Sequence, residues 1–170
     1  MQNEPRLDFL YTITAELAAP IAIGECPHGN RQIVPVTGGS FEGPHLKGTV
    51  LAGGGDWLLV RPDGVGELDV RATLQTDDGA LVYVTYRGYL SRIMELIPRW
   101  AAGEEIPREE YYFAVTPYFE TGAPQYAWLQ QTIAIGIGQL VRGAVAYDVY
   151  AVGSRVGTSP LPQAAAAATA

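Results

Sequence analysis

The stretch Leu7 to Leu17, LDFLYTITAEL, alternates between apolar and polar positions. Leu7, Phe9, Tyr11, Ile13 and Ala15 fall on one side; Asp8, Thr12, Thr14 and Glu16 fall on the other. Successive side chains of a strand point to opposite faces, so this pattern predicts a half-buried β-strand. The segment PHGNRQIVPVTGG reads as a turn and a short strand, with Pro35 at an edge or bulge. His45 to Ala52 and Trp57 to Arg61 read as two further strands. The clearest hairpin follows. Glu67 to Gln75 places Leu68, Val70, Ala72 and Leu74 on one face and Asp69, Arg71, Thr73 and Gln75 on the other. TDDG supplies the turn, with Gly79 free to take a positive φ, and ALVYVTYRG returns as the partner strand. QYAWLQQTIAIGIG and GAVAYDVYAV predict another long pair. Both faces of that pair are rather apolar, so one can line a core while the other meets a second subunit.

One segment breaks the two-residue rhythm. In GYLSRIMELIPRWAAGEEIP, Leu90, Ile93, Met94 and Ile97 share one helical face. Pro98 argues against a helix extending far beyond it. Many short strands with strong turns and one short helix predict an all-β fold, a closed antiparallel β-barrel. Closure removes the unpaired edges that such a sheet would otherwise expose. One barrel domain is expected over residues 1–157, followed by a disordered alanine-rich tail over 158–170.

The glycines in LAGGGDWLLVRPDG raise a question of chemistry. A phosphate-binding loop needs a lysine after its glycines and a helix beyond them. Here Asp56 and Trp57 follow, and then a strand. Gly53 to Gly55 therefore predict a bend or bulge that presents Asp56 and Trp57 near a barrel opening. The plainer alternative has Asp56 capping a turn and Trp57 filling the core.

Composition narrows the partners. Twenty glycines and twelve prolines suit tight turns, and 48% hydrophobic content opposes disorder. The net charge of −7 argues against nucleic acid and against an anionic membrane surface. No apolar run approaches the ~20 residues of a membrane helix. Cys26 stands alone, and only His28 and His45 represent histidine, so neither a disulfide nor a cysteine- or histidine-rich metal site is expected. MQNEPRLDF has no signal-peptide pattern, which makes the cytoplasm the expected location.

Three blocks carry a resemblance: GGSFEGPHLKGTVLAGGGDW, DVRATLQTDDGALVYVTYRG and YYFAVTPYFETGAPQYAWL. Together, from about Phe9 to Val152, they resemble the bacterial and fungal family called domain of unknown function 3237, also known as uncharacterised protein family 0311. The resemblance implies a lipocalin-like barrel and homo-oligomers, and no established general activity. This chain departs from the family pattern at Gly55, where alanine is common, at Gln130, often asparagine, and at Ala114, often arginine. If those positions line the cavity, the ligand differs from that of its relatives.

Small barrels bind ligands in their mouths or interiors. Polar residues on strands set for burial are therefore the candidates. Asp69 and Arg71 share a face, either as a buried pair that orients a ligand carbonyl or carboxylate, or as a solvent-facing pair. Glu120 and Glu42 are each either a carboxylate at the barrel mouth or a turn residue held by backbone N–H groups. Asp148 interrupts an apolar strand and is either on a polar face or buried with a purpose. Tyr86 and Tyr126 lie within the resembling blocks and can donate hydrogen bonds from packed rings. Trp57 and Trp128 can sandwich an apolar or aromatic ligand.

These residues suggest a cofactor-free, metal-free enzyme that performs acid/base chemistry in a barrel cavity: an isomerase, cyclase, or lyase or hydratase. Its substrate is expected to be a small, largely apolar or aromatic oxygenated molecule, in secondary metabolism. Asp56, Glu120 and Asp69 are the candidate acids and bases, Arg71 the orienting cation and Tyr86 a donor. Trp57, Glu42, Tyr126, Trp128 and Gln130 are the candidate binding residues. The alternative is a carrier that binds a small hydrophobic ligand without turning it over.

Overall fold

A computed structural model describes residues 4–153; the alanine-rich tail lies outside the described residues. Ten strands form one antiparallel sheet. They are β1 (Arg6–Leu17), β2 (Ile21–Cys26), β3 (Gly29–Glu42), β4 (Lys47–Asp56), β5 (Leu59–Val60), β6 (Gly66–Thr76), β7 (Leu81–Leu90), β8 (Phe113–Glu120), β9 (Ala134–Val141) and β10 (Ala144–Gly153). The sheet follows the order β1-β10-β9-β8-β7-β6-β4-β3-β2, and β1 also pairs with β3, which closes it into a ring. β2 extends beyond the ring from the first half of β3, while β5 bridges β3 and β6. The expected barrel is thus present, though unevenly closed. β6 and β7 share ten registered pairs, whereas β8 and β9 share only Ala114–Ile137 and Val115–Gly136.

The interior is an apolar cluster that includes Leu10, Tyr11, Phe41, Leu74, Val82, Phe113 and Tyr147. Directly opposite residues of paired strands share a face, so each strand contributes alternate side chains to it. β6 follows this as expected, with Leu68, Val70, Ala72 and Leu74 inside. β1 does not keep one phase. Its register shifts between Phe9 and Tyr11. Asp8 and Leu10 turn inward before the shift, Tyr11 and Ala15 after it. Leu7 and Phe9, expected in the core, are 47% and 39% exposed.

Two other expectations need correction. The glycines do not separate two strands, because β4 runs through them. Its register with β6 breaks between Leu51 and Gly55, and Gly53 takes φ +105°. Gly54 lies so close to β6 that a Cβ would stand 2.4 Å from the Arg71 carbonyl oxygen. The bend is a bulge inside a strand. The stretch expected as a long strand from Gln125 instead winds into a 3-10 helix over Pro124–Gln131, and β9 begins only at Ala134.

The α-helix, α1 (Ile93–Ala101), lies at one end of the barrel. Ile93 and Leu96 are its buried residues, with Ile97 and Trp100 packed against the core. Met94, expected on the buried face, is 65% exposed. Pro98 sits inside the helix, where it removes one N–H donor. Trp100 anchors the last turn by donating its Nε1–H to the Val141 carbonyl oxygen. Among the described residues, no helix is long and apolar enough to cross a membrane.

Candidate functional site

The α1 end of the barrel encloses a cavity of about 110 Å³. Its wall is almost wholly apolar: Leu68, Val70, Ile93, Ile97, Trp100 and Phe113 are typical. Gln32, Asp56, Tyr86 and Tyr147 bring the polar side chains.

Strand register explains how Asp56 comes to face inward. Val34 pairs with Asp56, Asp56 with Val70, and Val70 with Tyr86. Val34, Asp56, Val70 and Tyr86 therefore form one row across β3, β4, β6 and β7, all on the inner face. The bulge at Gly53 and Gly54 fixes that phase for the last residues of β4. Across the barrel, the Tyr147 ring meets Tyr86 edge-on at 5.4 Å and Phe113 at 5.2 Å.

The cavity sets the protonation of its polar groups. Burial pushes the Asp56 carboxyl up to about 7. The N–H of Asp69 donates to Asp56 Oδ1 at 3.0 Å and opposes that rise. The negative charge of Asp69 reinforces it, and the positive charge of Arg31 works against it. Burial also drives the hydroxyls of Tyr86 and Tyr147 well above the usual tyrosine range. Both tyrosines thus remain neutral O–H donors at physiological pH, while Asp56 exchanges between acid and base. That combination can move a proton and stabilise developing negative charge on a nearby oxygen.

The other candidates lie elsewhere. Asp69 and Arg71 stand on the outer face of β6, 3.2 Å apart and partly exposed. The solvent-facing alternative describes their position. The Arg71 guanidinium stacks over the Trp57 ring at 4.8 Å, and Trp57 is itself 36% exposed. Glu42 pairs with Lys47 at the opposite end of β4 from Asp56, roughly 25–30 Å away along the strand. Glu42, Glu120 and Gln130 are exposed. Tyr126 and Trp128 belong to the 3-10 helix, which Gln125 ties to Asp78 at 3.2 Å in the β6–β7 turn. His45 meets the Trp128 ring edge-on at that end, at 6.2 Å. Of the expected site residues, Asp56 and Tyr86 are brought together.

Asp148 faces outward, accepting hydrogen bonds from Thr12 at 2.8 Å and Arg108 at 3.1 Å. The three departures from the family pattern also miss the cavity. Ala114 lines a groove on the outer wall, Gln130 is exposed, and Gly55 packs against the Trp57 ring. Among the described residues, no three His, Cys, Asp or Glu side chains gather as a metal site.

Two cavity residues carried a legible signal that sequence reading did not use. Gln32 is in phase with Val34 and Val36, a polar side chain on an inward-facing row. Tyr147 is in phase with Val145 and Val149, opposite in phase to Asp148.

Comparison with known proteins places this architecture. A protein from Rhodopseudomonas palustris strain TIE-1, named UPF0311 protein, is 37% identical over 144 residues, covering 85% of this chain and 94% of its own. The crystal structure of a conserved protein of unknown function from R. palustris matches with a TM-score of 0.83 at 34% identity, covering 89% of this chain and 100% of its own. A beta-barrel like protein from Acinetobacter baumannii matches at 0.77 with 38% identity, over 90% and 99% of the two chains. An enzyme from Penicillium herquei shares the fold at 0.67 and 22% identity, over 90% and 98%. PR-toxin biosynthesis cluster protein 7 from Penicillium roqueforti is 26% identical over 156 residues, covering 81% of this chain and 84% of its own. Residues 5–152 match the family described as protein of unknown function (DUF3237), and the chain belongs to that family.

Proposed function

We propose that the protein is a small-molecule enzyme that performs proton-transfer chemistry in the α1-end cavity. Asp56 acts as the general acid and base, and Tyr86, whose oxygen accepts from the Tyr147 hydroxyl, donates its own O–H to the substrate oxygen that gains charge. The observation that carries this reading is the placement of the Asp56 carboxyl, its pKa raised by burial, on the wall of a largely apolar chamber in one row with Tyr86. The apolar wall favours a small, largely apolar or aromatic substrate, and the four polar side chains favour one bearing oxygen. Isomerisation, cyclisation and hydration or its reverse all fit, since each requires a positioned acid and base. Kinship with a PR-toxin biosynthesis cluster protein supports a place in secondary metabolism. In this reading Glu120 and Arg71 take no part in the proton transfer, and Asp69 acts only by tuning Asp56 through its backbone N–H and its charge.

The same reading includes self-association. Phe9, Tyr112, Tyr118, Ile133 and Ile137 remain exposed around the barrel. A second copy would cover much of that apolar surface, and a purely monomeric sedimentation profile at micromolar concentration would remove this element.

The test uses an enolisable probe, 2-tetralone, in D₂O. The wild-type protein should accelerate exchange of the protons α to the carbonyl, followed by NMR. Asp56→Asn should lower the catalysed rate by about 10²-fold or more while the probe still binds. Unaltered exchange in the variant would refute the role of Asp56. Tight binding with no exchange in the wild type would instead favour the carrier.

A further inference from the structure

Gln32 lines the cavity and also an outer groove between α1 and the β2–β3 hairpin. It therefore stands where the chamber opens outward. Its side chain is the inner end of a short polar relay. Gln32 Nε2 donates to Asn30 Oδ1 at 3.3 Å, and Asn30 Nδ2 donates to Glu25 Oε1 at 2.8 Å. Asn30 and Glu25 are register partners across β2 and β3, so backbone pairing holds the outer link in place.

The chemistry of the relay gives it a direction. An ionised carboxylate only accepts hydrogen bonds. Glu25 accepts the Asn30 N–H, and this orientation turns the Asn30 carbonyl toward Gln32. That carbonyl accepts the N–H of Gln32, which holds Nε2 at the Asn30 end. The remaining end of the Gln32 amide is the carbonyl oxygen Oε1, which accepts no hydrogen bond among the described residues. A reversed Gln32 would set two acceptor oxygens against each other.

We propose that Gln32 is a specificity-determining residue: its fixed carbonyl oxygen selects ligands that carry a hydroxyl or N–H donor. This rests on the cavity reading above and adds the substrate's second polar group. Val34 pairs with Asp56, and Gln32 lies two residues further along β3 on the same face. Diagonal neighbours of that kind lie about 7–8 Å apart. A ligand of about one ring can thus present a hydroxyl to Gln32 and its reacting group to Asp56. The selected class is hydroxylated, phenol-like molecules rather than their hydrocarbons or ethers.

Phenol and toluene, two rings of similar size, provide the test, with affinities from NMR titration at pH 6. The phenol-to-toluene affinity ratio should fall about tenfold in Gln32→Leu, the effect of one neutral hydrogen bond. Toluene binding should persist in that variant, which reports an intact cavity. Glu25→Gln should lower the ratio by a smaller factor, about threefold, because both amides can then reverse. In the Asp56→Asn background, Gln32→Leu should reduce the ratio by a similar factor, separating Gln32 from the carboxyl. A ratio unchanged by Gln32→Leu, with toluene still bound, would overturn the role of Gln32 and leave the cavity reading standing. Failure of the wild-type protein to bind either probe would overturn both.

Discussion

Asp56 holds a proton that an ordinary surface carboxylate would lose. Its folded pKa lies near 7, against about 3.9 for aspartate in an unfolded chain. Between those values the folded protein binds more protons at this residue than the unfolded chain does. Stability referred to Asp56 is therefore full below about pH 4, declines as pH rises toward 7, and is constant above it. Asp56→Asn keeps an oxygen that can accept from the Asp69 N–H and removes the charge. The variant should be more stable than wild type at pH 8, by on the order of 2–4 kcal/mol, with the difference nearly gone at pH 4. Urea denaturation of both proteins at the two pH values checks this. Removing the negative charge of Asp69 should lower the Asp56 pKa, because that charge raises it. Asp69→Ala keeps the backbone N–H that donates to Asp56, so NMR titration of the Asp56 carboxyl isolates the charge effect. The sequence marked Asp56 through its flanking glycines and tryptophan. The same reasoning marked Glu120 and Glu42, which also lie near aromatic residues and turns. Local sequence does not encode the end of a barrel that a turn occupies, and those two carboxylates are exposed.

At the scale of the element, inward and outward are decided by strand phase, and bulges reset it. The β6–β7 hairpin has an unbroken ladder, and its alternation was legible throughout. In β1 the extra residue at Leu10 shifts the phase, so Leu7 and Phe9 face out while Asp8 and Leu10 face in. In β4 the glycines perform the shift, and they place Asp56 in the inner row. Gly54 allows β4 to approach β6 where any Cβ would strike the Arg71 carbonyl oxygen, a backbone atom with little freedom to yield. Gly54→Ala should destabilise the protein by roughly 2–4 kcal/mol. It should also reduce catalysed exchange in the folded fraction by displacing Asp56. Gly122→Ala is the control: nothing lies within 4 Å of the added Cβ, and stability should change by less than about 0.5 kcal/mol. Thermal denaturation and the 2-tetralone assay, run on both variants, separate the bulge from a general loss of glycine. The 3-10 helix over Pro124–Gln131 was not legible for a different reason. Its apolar residues Tyr126, Trp128 and Leu129 form no clear helical or strand period, and tertiary packing against the barrel end determines their conformation.

For the whole molecule, closure of the ring was legible but its weak point was not. The β9 stretch is predicted as strand and β8 is not, although Phe113, Val115, Pro117 and Phe119 alternate inward; such alternation says nothing about how many backbone pairs join two strands. Only two pairs do, and side chains hold the rest of that seam. Tyr111 contributes its hydroxyl, which accepts the Leu140 N–H at 3.0 Å in place of a strand carbonyl. The Phe113 ring covers Gly138 so closely that a Cβ there would stand 2.4 Å from it. A ladder with few backbone bonds opens at lower free energy than a continuous one. Amide protons of β8 and β9 that face the seam should therefore exchange faster with deuterium than those of the β6–β7 ladder, under conditions where the fold is intact. Tyr111→Phe removes one acceptor and leaves the ring. The Leu140 N–H then loses its partner, at a cost of about 1–3 kcal/mol if it stays buried. Its exchange should accelerate by at least tenfold, with little change along β6. Because Leu140 also lines the cavity, opening at the seam would reach the chamber itself. The variant should accordingly bind toluene less tightly. Equal exchange in β9 and β6, or unaltered Leu140 protection in Tyr111→Phe, would show the ring to be uniformly closed in solution.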